Sequence, residues 1–490
     1  MMFHRKTARR RAPGARKPRL CSVLTAALVL PLAACTVGPR YQRPPVVTPP
    51  AYQASKDWKI AEPGDGVPRG KWWMIFGDPL LDQLTEDIER SNQDLRFAEA
   101  QFRRAQALAR QARAGLLPTV SGDVSVTRSG GGRRDTATNY DLAGRVSWDA
   151  DLWGRVRKSI EAGAATEAAS AADLASVRLA LQSELVLSYL QLRVLDSQRQ
   201  LLDETAEAFA KSLQLTSNRY QAGLAGRVDV AQAEAQLKST QAQAIDTGVQ
   251  RAQFEHAIAV LRGRAPAEQA IAPVPLKATL PSIPAGVPSA LLERRPDIAA
   301  AERRVAAANA QIGVAMAALY PSLTLSASGG FTSTRFADWL SLPSRVWAFG
   351  PALAQTLFDA GARQAVTDQA IAAHEATVAA YRQTVLGAFQ EVEDNLSALR
   401  ILEQEAVVQA DAVKAARQAL ELTNNQYKAG IVSYLNVVSA QTTLLNNERT
   451  ALSLLGRRLT AAAQLVRALG GGWTVERAQA GGTGAGTAAR

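Results

Sequence analysis

The chain has 490 residues, of which 47% are hydrophobic and 20% charged, and its formal net charge is +12. Eight of the basic residues lie in residues 1–34, which hold no acidic residue, so without this stretch the charge falls to about +4. The basic excess is therefore no evidence for nucleic-acid binding. The two cysteines, Cys21 and Cys35, lie in or next to this stretch, which leaves the rest of the chain without a thiol for a disulfide or a metal site.

The N-terminus is arranged like a bacterial lipoprotein signal. Basic residues precede an apolar run from Leu20 to Ala34, which is typical of a cleaved secretory signal. Residues 32–35, Leu-Ala-Ala-Cys, match the lipobox and predict that Cys35 becomes the mature N-terminus, carrying an N-acyl chain and an S-diacylglycerol. The alternative is cleavage nearby, with Cys35 left as a free thiol. Thr36 stands where an aspartate would favour retention in the inner membrane, so we expect the outer membrane.

The next segment, residues 35–78, is predicted to be an extended linker, because proline, glycine and charge dominate as far as residue 70. Asp78-Pro79 is typical of a helix start, and a second helix around Leu95–Leu117 ends before Pro118. After Ala34 no run of eighteen apolar residues occurs, so no transmembrane helix is predicted. A chain of this kind can cross a bilayer only with strands.

Four segments alternate between apolar and polar side chains with the period of two that indicates strands. They are residues 119–128, 139–150, 322–332 and 346–357, and a loop rich in glycine and arginine separates the first two. Their apolar faces carry Val120, Gly122, Val124 and Val126, then Tyr140, Leu142, Gly144, Val146 and Trp148, then Leu323, Leu325, Ala327 and Phe331, and finally Trp347, Phe349, Pro351, Leu353 and Leu357. About ten residues are enough for a tilted strand to cross a bilayer.

Four strands cannot close a membrane barrel, because about eight are the known minimum. Open sheet edges are not tolerated in lipid, so several chains must share one barrel. Three copies would supply twelve strands, a size that leaves room for a lumen. The alternative is a half-buried sheet on a soluble core, although the neighbouring helices are too long to cover such a sheet compactly.

Two helical hairpins of unusual length follow the strand pairs. No proline occurs between Pro118 and Pro266, and apolar residues recur three or four positions apart. The first helix, from Arg155 to Ala222, would be roughly 100 Å long at ~1.5 Å per residue. It ends at Asn-Arg-Tyr-Gln-Ala-Gly, residues 218–223, and a similar motif, Asn-Gln-Tyr-Lys-Ala-Gly, recurs 207 positions later. The repeat predicts two equivalent structural units in one chain.

The sequence thus predicts an α + β membrane protein built by internal duplication. The predicted order is a lipoprotein signal peptide (1–34), a linker (35–78), a first repeat (79–263), a linking segment (264–288), a second repeat (289–472) and a flexible C-terminal tail (473–490). Each repeat would contain a helix, two strands and a long helical hairpin.

No pattern predicts an enzyme. His4 leaves with the signal, and His256 and His374 stand alone on predicted helices, without a thiol or a metal-spaced partner nearby in the sequence. No glycine-rich loop of the phosphate-binding types occurs. We therefore predict no catalytic residue, no metal site and no cofactor besides the covalent lipid on Cys35.

Several motifs together resemble the outer-membrane factor family of TolC- and OprM-like channels, in particular its NodT-type branch of efflux lipoproteins. The resemblance covers roughly residues 35–471. The motifs are Cys35-Thr36-Val37-Gly38-Pro39-Arg40-Tyr41, Trp72-Trp73 with Phe76-Gly77-Asp78-Pro79-Leu80, Asp151-Leu152-Trp153-Gly154-Arg155, Arg295-Pro296-Asp297-Ile298 with Ala301-Glu302, and Leu357-Phe358-Asp359-Ala360-Gly361.

The resemblance implies a homotrimer in which a twelve-stranded outer-membrane barrel continues into a long periplasmic barrel of helices. Residues 264–288 would help to build an equatorial belt. The hairpin ends with Gly223 and Gly430 would contact a periplasmic membrane-fusion adaptor, which links the channel to an inner-membrane pump of the RND type. Both glycines also have a simpler explanation, since glycine supplies the positive φ that a helix reversal needs.

The resemblance also implies a periplasmic gate just after the second hairpin end, formed by Tyr434, Leu435 and Ser439. OprM-like members have an aspartate where this chain has Ser439, so an acidic ring is not expected here. Leu435 could still form an apolar constriction.

These features favour a passive exit duct for drugs or other small compounds. Two alternatives remain at the level of the sequence: the exit duct of a type I protein-secretion system, and a structural periplasmic lipoprotein without a pore. The alternating strands argue against the second alternative, because a tether needs none. The sequence does not identify the transported compound.

Overall fold

The computed structural model describes residues 36–46, 70–132, 134–276 and 295–471. The predicted signal peptide, Cys35, the second half of the linking segment and the C-terminal tail lie outside the described residues. The chain divides into two compact units. Of the described residues, the sheet unit comprises 36–41, 110–132, 134–162 and 308–374, and the helical unit comprises 42–46, 70–109, 163–276, 295–307 and 375–471.

Seven α-helices lie in the described part of the chain. They are α1 Pro79–Ser91, α2 Gln93–Ala114, α3 Arg155–Gln221, α4 Arg227–Leu261, α5 Pro296–Ala317, α6 Ala362–Lys428 and α7 Tyr434–Ala468. The hairpins α3–α4 and α6–α7 have the same dimensions, with 67 residues in the first helix and 35 in the second. This equality confirms the predicted duplication of long hairpins. Among the described helices, we find none that combines the length and the apolar character of a membrane span.

One antiparallel sheet contains four strands in the order β1-β2-β3-β4. The strands are β1 Thr119–Gly131, β2 Arg134–Asp149, β3 Ser322–Ser333 and β4 Arg345–Ala354. Across the sheet, Val124 pairs with Leu142, Leu142 with Phe331, and Phe331 with Arg345. The apolar residues predicted for one face therefore do lie on one face, because paired residues of neighbouring strands point to the same side. The predicted α + β fold with four strands is confirmed.

Two details of the predicted strands are wrong. The loop rich in glycine and arginine is largely strand, since Arg128 pairs with Thr138 and the ladder continues past an irregularity to Gly131 and Arg134. The fourth strand ends at Ala354, so Leu357 is not part of its apolar face. Ala354 pairs with Ser322, the first residue of β3, and the proline before Ser322 has no N–H with which to continue a ladder.

The core of the helical unit begins with an aromatic turn. Residues Trp72–Phe76 form a 3-10 helix whose two tryptophans and phenylalanine are buried. Their buried neighbours in this core include Leu81, Leu185, Leu192, Leu459 and Val466. Burial of each large aliphatic side chain stabilises the fold by about 1.5–3 kcal/mol, so this cluster fixes α1 against α3 and α7. The Asp78 carboxylate accepts a hydrogen bond of 2.9 Å from the backbone N–H of Leu80 and caps α1, as the sequence predicted.

The Arg-Pro-Asp motif joins three helices of this unit. The Arg295 guanidinium donates to Asp297 at 2.7 Å, to Glu391 on α6 at 2.8 Å and to the carbonyl of Ala468 on α7 at 3.1 Å. Arg295 is buried, and a buried guanidinium is tolerated only when its donors are paired. Pro296 occupies the first helical position of α5, where its missing N–H costs nothing.

Candidate functional site

The first hairpin end reverses the chain between α3 and α4 with a glycine in the left-handed region. Gly223 has φ +74°. Its N–H donates to the carbonyl of Tyr220 at 2.9 Å, and the N–H of Leu224 donates to that of Arg219 at 2.8 Å. These two bonds form a Schellman motif, which satisfies the carbonyls left free at a helix C-terminus.

The second hairpin end, between α6 and α7, repeats this backbone arrangement. Gly430 has φ +76°. Its N–H donates to the carbonyl of Tyr427 at 3.0 Å, and the N–H of Ile431 donates to that of Gln426 at 2.9 Å. The sequence motif shared by the two ends therefore encodes one and the same turn.

Both ends present a large apolar residue directly after the glycine. Leu224 is 69% exposed and Ile431 is 72% exposed. In a Schellman motif this residue usually packs back on the last helical turn, and here it does not. A Cβ atom added at either glycine would meet no atom within 4 Å, so the two ends are open surfaces of the helical unit.

A cluster of four side chains, which we call the aromatic clasp, holds the second end against the first hairpin. It consists of Tyr427, Tyr434, Ser212 and Arg219. The two tyrosine rings are both buried, with centroids 5.4 Å apart. The Ser212 and Tyr434 hydroxyls are 3.1 Å apart. The Arg219 guanidinium lies 4.7 Å from the centre of the Tyr427 ring and donates to the carbonyl of Lys428 at 3.3 Å.

Burial raises the pKa of the Tyr434 phenol, and the hydrogen bond with Ser212 opposes this shift only in part. The fold therefore favours the neutral hydroxyl. The buried Tyr427 hydroxyl has no hydrogen-bond partner within the described chain. Tyr427 thus contributes through its ring, by packing on Tyr434 and beneath Arg219.

The three residues predicted for the gate occupy two different surroundings. Tyr434 is buried in the clasp, whereas Leu435 is 58% exposed and Ser439 is also exposed. Leu435 and Ser439 are four residues apart on α7 and share one face of that helix. Their role as a gate stays a prediction, as does the role of Gly223 and Gly430 as contacts for an adaptor.

Sequence reasoning did not identify Ser212, Arg219 or Tyr427 as site residues. Tyr427 lies within the repeated hexapeptide, and that position was the available signal. Ser212 and Arg219 belong to the other hairpin, and only the three-dimensional packing brings Ser212 to α7 and Arg219 to the end of α6. Cys35, the predicted lipidation site, lies outside the described residues. Within the described ranges, no three His, Cys, Asp or Glu side chains are grouped so that they could hold a metal ion.

Comparisons with known proteins agree with this architecture. The sequence model of the outer membrane efflux protein family matches residues 84–264 and 287–471. The chain is 32% identical over 464 residues to the toluene efflux pump outer membrane protein TtgC of Pseudomonas putida, which covers 92% of this chain and 95% of that protein. It is 29% identical to the cation efflux system protein CusC of Escherichia coli over 92% of this chain and 99% of that protein.

Solved structures give the same result. The outer-membrane channel OprN superposes with a TM-score of 0.83 at 33% identity, covering 90% of this chain and 100% of that one. For a structure of CusC the TM-score is 0.81 at 27% identity, with 89% and 100% covered. The resemblance, the outer-membrane location and the channel function predicted from the sequence are confirmed: this chain belongs to the outer membrane efflux protein family.

Proposed function

We propose that three copies of this chain form one pore, a passive exit duct for drugs or other small compounds in a tripartite efflux system. The observation that carries this proposal is the open sheet. Strands β1 and β4 each have one unpaired edge, and their apolar residues Val120, Val124, Trp347 and Phe349 are exposed. An unpaired edge is not tolerated in lipid. Pairing β4 of one copy with β1 of the next would remove all edges in a barrel of twelve strands.

The mass and the conductance of the purified protein test this proposal. We expect a detergent-corrected mass of three chains and pores in planar bilayers, if necessary after mutations that open the periplasmic end. A mass of one chain, with no conductance in any such variant, would contradict the proposal.

The hairpins would extend into the periplasm, where their ends contact a membrane-fusion adaptor that leads to an inner-membrane pump of the RND type. The exposed Leu224 and Ile431, each fixed next to a Schellman glycine, support this docking surface. Gly223 and Gly430 would contribute to the docking surface by fixing the turn that presents these two side chains. Site-specific cross-linking from Leu224 and Ile431 to the adaptor checks the contact.

We assign the gate to the exposed face of α7. Leu435 and Ser439 would face the lumen, and Leu435 from three chains would form the narrowest apolar ring. Tyr434 would act from behind this face, because its ring is buried in the clasp. The gate would have no ring of carboxylates at Ser439, so we expect little charge selectivity at this level.

Acylated Cys35 would anchor each chain in the outer membrane. The following residues support an anchor close to the strands, since the N–H of Val37 donates to the carbonyl of Trp153 at 3.1 Å. Gly38 has φ +111° and packs so closely on Gly313 that an added Cβ would lie 2.5 Å from its Cα. We expect Cys35→Ser to abolish lipid attachment without preventing assembly, because the barrel contributes a far larger apolar surface. Mass spectrometry that finds Cys35 unacylated in the native protein would contradict the anchor.

The names of relatives support small compounds as cargo. They include an antibiotic efflux pump protein of Pseudomonas putida and a pyoverdine export protein of Pseudomonas aeruginosa. No cofactor takes part in this proposal, because a passive duct receives its driving energy from the pump.

A further inference from the structure

The two edge strands each carry an arginine at the loop end of their apolar face. By the loop end we mean the end of the sheet at which β1 turns into β2 and β3 into β4, opposite the helix end, where the strands join α2, α3, α5 and α6. Arg128 lies two residues after Val126 on β1, and Arg345 lies two residues before Trp347 on β4. Since alternate residues of a strand share a face, both arginines stand on the apolar face of the sheet.

The connection between β3 and β4 folds onto the same face. The Tyr140 ring, which belongs to the apolar row of β2, lies 5.5 Å from Phe336 and 5.8 Å from Trp339, measured between ring centroids. A group of aromatic side chains at the end of an apolar strand face is typical of the boundary between lipid and water. Arg335 directly precedes Phe336 and is exposed, so a third arginine stands next to this aromatic group.

Arginines at the helix end and on the polar face have carboxylate partners. Arg155 pairs with Asp149 at 2.5 Å, Arg157 with Asp151 at 3.1 Å, Arg363 with Asp359 at 2.6 Å, and Arg145 on the polar face with Asp123 at 3.9 Å. Each of these four arginines therefore has its counter-charge within the sheet unit.

Three arginines of the loop end whose side chains are described differ from these. Within the described residues, Arg128, Arg335 and Arg345 are exposed and have no ion pair. The Asp141 carboxylate at this end points to the polar face, where it accepts a hydrogen bond of 2.6 Å from Thr332. Asp338 follows Arg335 by three residues but forms no ion pair with it in the described chain, so these arginines can take an anion from outside the chain.

We propose that Arg128, Arg335 and Arg345 bind the phosphate groups of an anionic glycolipid in the outer leaflet of the outer membrane. This proposal rests on the proposed orientation, with the hairpins in the periplasm and the loop end at the cell surface. At the membrane boundary an exposed guanidinium can reach a lipid phosphate, which offers two acceptors in the geometry that arginine matches. The apolar residues of β1 and β4, on the helix-end side of the arginines, would contact the acyl chains. The surface thus recognises both the phosphate groups and the acyl chains of the lipid. The matching partner is a phosphorylated lipid, because a free phosphate would use only the arginines.

The test compares the full-length parent with one triple variant, which carries Arg128→Gln, Arg335→Gln and Arg345→Gln together and which we call the loop-end variant. Purified protein is titrated with bisphosphorylated lipid A, and the bound lipid is counted by native mass spectrometry. We expect about tenfold weaker binding to the variant, as three partly screened charge-assisted pairs would give. Lipid A without its phosphates should bind the parent as weakly as the intact lipid binds the variant.

A matched control removes three exposed arginines of the helical unit by Arg90→Gln, Arg417→Gln and Arg457→Gln. It lowers the net charge equally and should bind lipid A like the parent. Equal binding of lipid A by parent and loop-end variant, or equal binding of the two lipids by the parent, would overturn the proposal. Loss of the binding difference on addition of inorganic phosphate at low concentration would overturn it too, since the site would then take a free anion. Conductance in planar bilayers, which should be the same in all variants, reports separately on the pore.

Discussion

The two hairpin ends have nearly the same backbone and very different side-chain surroundings. Their glycines have φ values of +74° and +76°, and the hydrogen bonds of their turns correspond one to one. The tyrosine three residues before each glycine is 45% exposed in the first end, as Tyr220, and 6% exposed in the second, as Tyr427. After the glycine, the second end has the buried Tyr434 where the first end has Arg227.

This difference separates two requirements of a hairpin end. The reversal of the chain depends on a short local motif, and both copies of the duplication kept it. The packing of the end depends on the other hairpin, and here the two ends differ: the contact with Ser212 and Arg219 of the first hairpin buries Tyr427 of the second end, whereas Tyr220 of the first end stays 45% exposed. The aromatic clasp thus lies directly before the exposed face of α7 that we assign to the gate. We infer that the second end is the more tightly held of the two, and four predictions examine this.

The largest effect is expected from removal of the Tyr427 ring. Tyr427→Ala should cost about 3–5 kcal/mol of local stability, as for other large aromatic residues in a core. The equivalent change at the first end, Tyr220→Ala, should cost far less, about 0.5 kcal/mol, because 45% of that residue is already exposed. Hydrogen–deuterium exchange of the amides in each turn measures the free energy of local opening.

The variant Tyr427→Phe is the control for this experiment. It keeps the ring and removes a hydroxyl that has no partner in the described chain, so we expect exchange as slow as in the parent. Faster exchange in both Ala variants to the same extent would show that the two ends are held equally.

The next effect concerns the glycines, and here the two ends should behave alike. Gly223→Val and Gly430→Val each place a β-branched residue at positive φ, which costs about 1–3 kcal/mol of local strain. An added Cβ meets no atom within 4 Å at either glycine, so the expected effect is backbone strain that displaces the turn. We expect normal trimers in the outer membrane, weaker cross-linking to the adaptor and lost drug resistance.

Asparagine tolerates the left-handed region, so Gly430→Asn should keep more of the export than Gly430→Val. If Gly430→Val trimers bind the adaptor and export like the parent, the second end is not a docking surface. If only one of the two valine variants fails, the adaptor contacts the two ends unequally.

Much of this fold follows from local patterns. The long hairpins, the cap at Asp78 and the positive φ of Gly223 and Gly430 are encoded by neighbouring residues, and the sequence predicted all of them. The end of β4 was misjudged because it depends on where β3 begins, at Ser322, far away in the chain. The clasp was missed for the same reason, since Ser212 and Tyr434 are separated by 222 positions. Tyr434 was predicted as a gate residue by resemblance, and its burial became visible only with the packing of α3.

A smaller effect is expected at the cation of the clasp. Arg219→Gln removes the guanidinium above Tyr427 and should cost about 0.5–2 kcal/mol, the range of cation–π contacts with partly buried rings. Exchange of the amides around Gly430 should become faster while the turn at Gly223 is little changed. Arg219→Lys keeps the charge and loses the planar group, so an intermediate effect is expected. Faster exchange confined to the first end would contradict the view that Arg219 serves the second.

The smallest effect appears only in alkaline solution and depends on the Tyr434 phenol. Its pKa in the folded protein lies above the ordinary value of 10.0, chiefly because of burial. The unfolded end therefore loses this proton at a lower pH than the folded end. The contribution of Tyr434 to the free energy of local opening should be constant below about pH 10. It should fall as the pH rises from there towards the pKa of the folded state.

Limited proteolysis at Lys428 checks this pH dependence. In the parent, cleavage should become faster above about pH 10, where the unfolded phenol ionises. In Tyr434→Phe, cleavage should be somewhat faster at neutral pH, because the bond to Ser212 is lost, but it should lack the additional alkaline rise. Cleavage at Lys238, an exposed lysine outside the clasp, is measured in the same samples and corrects for a general effect of alkali on the protein and on lysine cleavage. An equal alkaline rise in parent and Tyr434→Phe would mean that another group opens the second end, and the buried phenol would then have no part in holding it.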